Sequence, residues 1–258
     1  MNIKLTRIDN NKPEIVLLHG WGTTSDIWEP WLPLLNESFS ITCIDLPGLG
    51  GSVVTSEEYT LDNLLEKVAL KIPQNSLLLG WSLGGLFAVL LAKKLAKKIL
   101  GVVTIAYNPC FVERSDWPTA MAENVFKQFS QDLQLDSEKT LARFFMLQVR
   151  GASQQRPILK LLKAINQQSN HSNLAGSLAL LEIDSRLDLA SLIQPSLHFY
   201  GEFDQLAPSA LVNVLPTLNS RLNTLQIKGA GHLLFLSDPE EVSLQVADFF
   251  HTIDKSKN

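Results

Sequence analysis

Cysteine is nearly missing from this chain: Cys43 and Cys110 are the two among 258 residues. Two cysteines build no disulfide framework, so the fold must rest on a packed core, and the protein suits a reducing compartment. An excess of cations is missing too. Lys plus Arg number 22 against 26 Asp plus Glu, a net charge of −4 with neutral His. That balance excludes general nucleic-acid binding, because phosphate contacts need clustered cations. Long hydrophobic runs are also lacking. The longest, Leu83 to Ala92, ends in lysines and is about half of what a bilayer span needs, so no membrane partner is expected. The N-terminal MNIKLTRIDNNKPE has no apolar signal-peptide segment, and there is no internal repeat or low-complexity tract. The expectation is a soluble, cytoplasmic, monomeric protein.

What is present is 45% apolar and 19% charged, the balance of a folded chain long enough for one α/β domain with an insertion. Short apolar runs alternate with helical stretches, the pattern of a mostly parallel sheet flanked by helices. Strands are expected at Glu14–Leu18, Ser40–Ile44, Ser76–Leu79, Leu100–Ile105, Ser196–Tyr200 and Asn223–Ile227. Helices are expected at Asp26–Leu35, Leu61–Lys71, Leu83–Leu95, Pro208–Leu215 and Pro239–Phe250. From Phe111 to about Asp184 no buried strand run occurs, and amphipathic helices fit Thr119–Leu133, Ser137–Gln148 and Arg156–Gln168. We therefore expect a core of residues 1–110 and 186–258, and an all-helical cap of residues 111–185 over the carboxyl ends of the strands, where open α/β sheets bind ligands.

The strongest local signal is Gly80-Trp81-Ser82-Leu83-Gly84-Gly85, a G-x-S-x-G pattern between a strand and a helix. A serine at so sharp a turn is strained, so the positions two away on each side must be small; Gly80 and Gly84 meet that need. A serine nucleophile needs a base, and the base an orienting acid. Asp204 follows the fifth expected strand and His232, in Gly229-Ala230-Gly231-His232, follows the sixth. Glu202 is the second choice of acid; Asp45 precedes the serine and is out of order. Of the other histidines, His171 reads as solvated, His198 as core and His251 as part of a polar tail. Oxyanion donors are expected from the N–H groups of Leu83 and of Trp21 in His19-Gly20-Trp21-Gly22, with His19 tying that loop down. No metal or organic cofactor is called for.

Carried on these segments and on Asp45-Leu46-Pro47-Gly48-Leu49-Gly50-Gly51-Ser52, the chain resembles the α/β-hydrolase superfamily over nearly its whole length. Within it, the chain looks like the family of pimeloyl-[acyl-carrier protein] methyl ester esterases of biotin synthesis, through Leu17 to Gly22, Gly80 to Leu86, Asn108-Pro109-Cys110-Phe111, Asp116-Trp117-Pro118 and Arg143 to Gln148. The resemblance implies a serine carboxylesterase that removes the methyl ester from a pimeloyl chain held by acyl-carrier protein. It implies a substrate site formed by Trp21, Ser82, Leu83, Phe144, Phe145, Met146, Leu147, Gln148 and His232. We expect Trp81 and residues 144–147 to wall an apolar channel, although plain packing accounts for these aromatics equally well. General short-chain ester hydrolysis, or a lyase reaction on the same scaffold, are the alternatives.

A separate clue lies in charge. From Lys139 to Leu181 there is no Asp or Glu, yet Lys139, Arg143, Arg150, Arg156, Lys160 and Lys163 fall there. Lys139 with Arg143, and Arg156 with Lys160, share helix faces four residues apart. A carboxylate-rich carrier protein would be steered to such a surface. The resemblance implies carrier docking at Lys139, Arg143, Arg156 and Lys160, where the family has arginines. Lysine at two of these positions keeps charge and loses bidentate pairing.

Overall fold

The computed structural model describes residues 1–255. Seven strands among them form one sheet: β1 (Leu5–Ile8), β2 (Glu14–Leu18), β3 (Ser40–Ile44), β4 (Ser76–Trp81), β5 (Ile99–Ile105), β6 (Ser196–Gly201) and β7 (Leu222–Ile227). Their spatial order is β1-β3-β2-β4-β5-β6-β7. Every neighbouring pair is parallel except β1 with β3, where Leu5 faces Ile44. Strands β2, β3 and β4 are buried along their whole length, which is why they read as unbroken apolar or small-residue runs rather than alternating ones.

Six strands stand where the sequence places them, to within two residues. The seventh, β1, is an addition to that set. Its residues Leu5, Thr6 and Arg7 are exposed, so no buried run announces it, and it joins the sheet as an antiparallel edge. The single helix expected over Asp26–Leu35 is instead two pieces. A 3₁₀ turn spans Ser25–Trp28, and α1 is confined to Leu32–Asn36 with proline in its first turn. Pro30 has no N–H with which to carry the first piece forward.

Helices α2 (Leu61–Ala69), α3 (Leu83–Lys94), α9 (Leu211–Leu218) and α11 (Pro239–Lys255) flank the sheet, with a short α10 (Leu234–Ser237) between β7 and α11. α3 is apolar all round because it is buried from Leu83 to Ala92 except at Leu90, packed on β4 and β5. α9 starts three residues after Pro208 and runs through Pro216 to Leu218.

Between β5 and β6 the described structure is helical: α4 (Glu123–Leu135), α5 (Ser137–Val149), α6 (Gln155–Gln168), α7 (Leu174–Ala179), a 3₁₀ turn at Leu180–Glu182 and α8 (Arg186–Ala190). Before α4 there are isolated bridges only, Val112 with Met121 and Arg114 with Trp117. The Asp136 carboxylate accepts the Lys139 N–H and so starts α5. This segment sits over the carboxyl ends of the strands. The rings of Phe129 (α4) and Phe144 (α5) lie 5.5 and 5.0 Å from that of Trp21, edge-on, and the Trp21 indole N–H donates to the Leu174 carbonyl at 3.1 Å.

Candidate active site

Ser82 joins β4 to α3 with φ 54° and ψ −115°, a conformation few L-residues adopt. It stands because the residues two away on either side are glycine. A Cβ on Gly80 would lie 2.1 Å from the Gly84 carbonyl oxygen, and one on Gly84 would lie 1.9 Å from that of Leu18. The turn is pinned by the Ser82 N–H, which donates to the Ile105 carbonyl at 2.9 Å. Ser82 is half-buried and opens α3, whose first N–H groups have no partner within the helix and present positive partial charge. Leu83 is the first of them.

After β6 the chain turns so that Asp204 Oδ1 accepts the N–H groups of Leu206 and Ala207, at 2.8 and 3.0 Å. The same carboxylate receives His232 Nδ1 at 3.0 Å on Oδ1 and 2.8 Å on Oδ2. Asp204 is 5% exposed and His232 1%. A carboxylate can only accept, so Nδ1 carries a proton, and in the neutral imidazole Nε2 is then the atom with the lone pair. Nε2 is buried and has no hydrogen-bond partner among the described residues, the Ser82 hydroxyl included. Glycine lets the two loops meet, since a Cβ on Gly201 would come within 2.3 Å of the Gly231 carbonyl. Glu202 is engaged elsewhere, accepting the Gly229 N–H at 2.9 Å.

The loop after β2 is held by His19. Its Nδ1 donates to the Gly20 carbonyl at 2.8 Å, and its Nε2 accepts the Leu46 N–H at 2.8 Å. Thr23 Oγ1 also donates to the Gly20 carbonyl, at 2.9 Å. Because a peptide is planar and trans, fixing that carbonyl turns the Trp21 N–H to the opposite side. Burial pushes the His19 pKa down against the opposing charge of Asp45, so it is neutral and can both donate and accept. Asp45 accepts the N–H groups of Ser25 and Gly51, and among the described residues Asp204 is the carboxylate bonded to His232.

The remaining histidines divide between core and surface. His198 is in β6 between Thr104 and Ser196, its pKa pushed by burial to about 3. His171 corrects the expectation of a solvated side chain. It is half-buried, accepts the Gly50 N–H at 3.3 Å, and burial lowers its pKa to about 4. His251 is exposed.

A cavity opens on Ser82 and is walled by Leu86, Tyr107, Asn108, Phe111, Leu180, Leu181 and Ile183. Sequence reasoning missed these walls. The residues at 107–111 closely follow β5, the strand beside that of Ser82, which was a usable signal; residues 180–183 arrive by tertiary packing alone. Of the α5 residues expected to contact substrate, Phe144, Phe145 and Gln148 are buried, Leu147 is half-buried, and Met146 is 54% exposed, none of them on this cavity. Both amide atoms of Gln148 lack partners among the described residues. Of the four expected docking cations, Lys139, Arg156 and Lys160 are exposed without an ion-pair partner among the described residues, whereas Arg143 pairs with Asp132 at 3.1 Å. Arg156, Lys160 and Lys163 lie together with Leu159 on one face of α6. Among the described residues no cluster of three or more His, Cys, Asp or Glu side chains is placed to hold a metal ion, and no helix is long and apolar enough to cross a membrane.

Residues 13–239 match the model of the alpha/beta hydrolase fold family. The chain is 35% identical over 242 residues to the pimeloyl-[acyl-carrier protein] methyl ester esterase of Edwardsiella ictaluri, covering 92% of this chain and 93% of that protein. It is 37% identical over 243 residues to the biotin biosynthesis bifunctional protein BioHC of Cellvibrio japonicus, covering 94% of this chain but only 48% of that longer protein. Among solved structures, a bromoperoxidase from Bacillus anthracis superposes with a TM-score of 0.87 at 20% identity, over 96% of this chain and 95% of the other. An esterase from Exiguobacterium antarcticum gives 0.86 at 20% identity, over 96% and 94%. These two likenesses speak for the fold alone.

Proposed function

This chain belongs to the alpha/beta hydrolase fold family, and from that premise we propose that it is a serine carboxylesterase that hydrolyses the methyl ester of pimeloyl-[acyl-carrier protein]. One observation carries the chemistry: a buried imidazole, bonded through Nδ1 to Asp204, with its Nε2 free, in a fold that also presents a strained, reachable serine. The substrate rests on the names of the relatives, at 33–35% identity over most of the chain, and on the cationic face of α6.

His232 Nε2 takes the proton of Ser82 as its Oγ attacks the ester carbonyl carbon. The carbonyl π electrons move to oxygen, and the N–H groups of Trp21 and Leu83 stabilise that oxyanion. Asp204 holds the tautomer and the imidazolium that forms. Collapse expels methoxide, which takes the proton from His232 and leaves as methanol. Water then gives a proton to His232 and its oxygen to the acyl carbon; Ser82 leaves with the proton, and the pimeloyl carboxylate is free. The helices of residues 111–185 act as a cap, the acyl chain runs between cap and elbow, and the carrier docks on the cations of α5 and α6. Leu86, Phe111, Leu180, Leu181 and Ile183 give the Ser82 cavity an apolar wall that suits a methylene chain; Phe144 and Phe145, buried away from that cavity, and Met146, largely in solvent, are left out of that wall. We place the enzyme in the cytoplasm as a monomer.

The test is hydrolysis of methyl pimeloyl-[acyl-carrier protein] by the purified protein, followed by methanol release, together with growth rescue of a biotin auxotroph lacking the esterase. Ser82→Ala should fail in both. Rapid turnover of simple aryl esters with none of the carrier-bound ester would leave a general carboxylesterase, and no ester turnover at all would point to another reaction class.

A further inference from the structure

We infer that Trp81 is a positioning residue that keeps the base loop and the oxyanion loop in register with the nucleophile; this rests on the roles proposed above for Ser82, His232 and Trp21. Trp81 is the residue before Ser82 and is fully buried. It is not among the walls of the Ser82 cavity, so its bulk is spent on contacts within the protein.

Those contacts reach each part of the site. The indole N–H donates to the backbone carbonyl of His232 at 3.0 Å, in a buried setting. The ring lies 5.5 Å from the His232 imidazole, inclined at 56°. The ring also packs edge-on against Phe235, three residues further along the base-bearing segment, at 5.5 Å. On its other side it meets the oxyanion loop, where a Cβ on Gly20 would lie only 2.8 Å from Trp81 Cε3. Trp28 closes the cluster, 6.5 Å from Trp81 and 4.6 Å from Phe235. A single rigid side chain whose backbone is bonded to that of Ser82 therefore touches the loop that carries the base and the loop that carries the oxyanion donor.

The physical reason is the sensitivity of catalysis to placement. Asp204 fixes Nδ1 but leaves the peptide of His232 free to tilt about that bond. The indole N–H removes the freedom by holding the carbonyl, and a displacement of about 1 Å at a reacting group costs on the order of a hundredfold in rate. Leaving the buried carbonyl without its donor would let the loop shift to find another.

The experiment replaces Trp81 with benzothienylalanine, which keeps the fused-ring shape and puts sulfur where the N–H was, and with 4-fluorotryptophan, which keeps the N–H. Both are assayed on p-nitrophenyl acetate, a substrate that needs no carrier protein. We expect kcat of the benzothienyl variant to fall between tenfold and a hundredfold with KM within about twofold, and the fluorotryptophan variant to match the wild type. Trp81→Phe, a second variant lacking the donor, should lose kcat in the same way. Normal kcat with a lowered Tm in the folded benzothienyl protein, or in Trp81→Phe should the former not fold, overturns the inference and leaves Trp81 a packing residue. A phosphonate that labels Ser82 in the wild type separates the two levels: labelling with unaffected Trp81 variants sinks this inference alone, whereas labelling elsewhere sinks the nucleophile assignment and this inference with it.

Discussion

Ser82 keeps a backbone conformation that costs energy in every folded molecule, and its neighbours bear the consequence. Gly84→Ala places a methyl group 1.9 Å from the Leu18 carbonyl oxygen. Backbone must move, so a loss of roughly 4 kcal/mol or more is expected in urea unfolding. Ser82→Ala removes only a hydroxyl, and should leave the melting temperature near wild type while ester turnover falls by about 10⁴ or more. Asp204→Asn should also cost about 10⁴ in kcat, because an amide can present the wrong group to His232 Nδ1. Glu202→Gln should stay within a few-fold of wild type in the same assay, since its oxygen serves the Gly229 N–H. A Glu202→Gln loss exceeding that of Asp204→Asn would reverse the assignment of the acid.

Among the elements, α5 and α6 carry the test of carrier docking. Replacing Arg143, Arg156 and Lys160 with Ala together should lower kcat/KM on the carrier-linked ester by roughly a hundredfold, at up to about 1 kcal/mol each, and spare a small free ester. The three should not contribute equally. Arg143 already pairs with Asp132, so its single substitution should cost less than Arg156→Ala or Lys160→Ala. Raising the salt from 0.1 to 1 M should erode the wild-type rate on the carrier substrate, as the Debye length contracts from about 10 to about 3 Å. Elements also mark how much was legible beforehand. Buried parallel strands such as β2 and β4 announce themselves, because both faces demand apolar or small residues. The exposed edge β1 and the broken helix at Ser25–Asn36 do not, since an antiparallel add-on and two prolines override local pattern. The placement of Ser82, Asp204 and His232 just beyond strand ends was legible, because each follows a strand expected from the sequence. The cavity wall at Leu180–Ile183 was not, because nothing local ties the 3₁₀ turn after α7 to Ser82.

The whole molecule holds buried histidines that oppose acid. For His198 the folded pKa is about 3 against an ordinary value of 6.5. The unfolded chain therefore binds a proton that the folded chain refuses between those values, so the stability contribution is complete above pH 6.5 and is lost as the pH falls toward 3. The slope is about 1.4 kcal/mol per pH unit for this one group. His171, lowered to about 4, and His19, also lowered by burial, act in the same direction. Urea denaturation at about pH 7 and about pH 5 should show a marked drop, and His198→Gln, which keeps a donor and an acceptor but does not titrate, should flatten it. An unchanged slope in that variant would place the acid sensitivity elsewhere.

The pairing of β5 with β6 divides the sheet into two sequence halves. Ser82 belongs to the first, Asp204 and His232 to the second, and the helical segment is the long loop between them. Competence for acyl transfer is thus a non-local property, acquired only when the chain closes over that loop, and parallel pairing at such separation forms slowly. The entropy of closure grows only as the logarithm of loop length, so the helical segment can be lengthened at small entropic cost while the timing of assembly stays set by the seam. On dilution from urea, the far-ultraviolet circular dichroism should recover in part before esterase activity does, whereas the fluorescence of Trp28, Trp31 and Trp81, which pack on Phe235 of the second half, should recover together with activity.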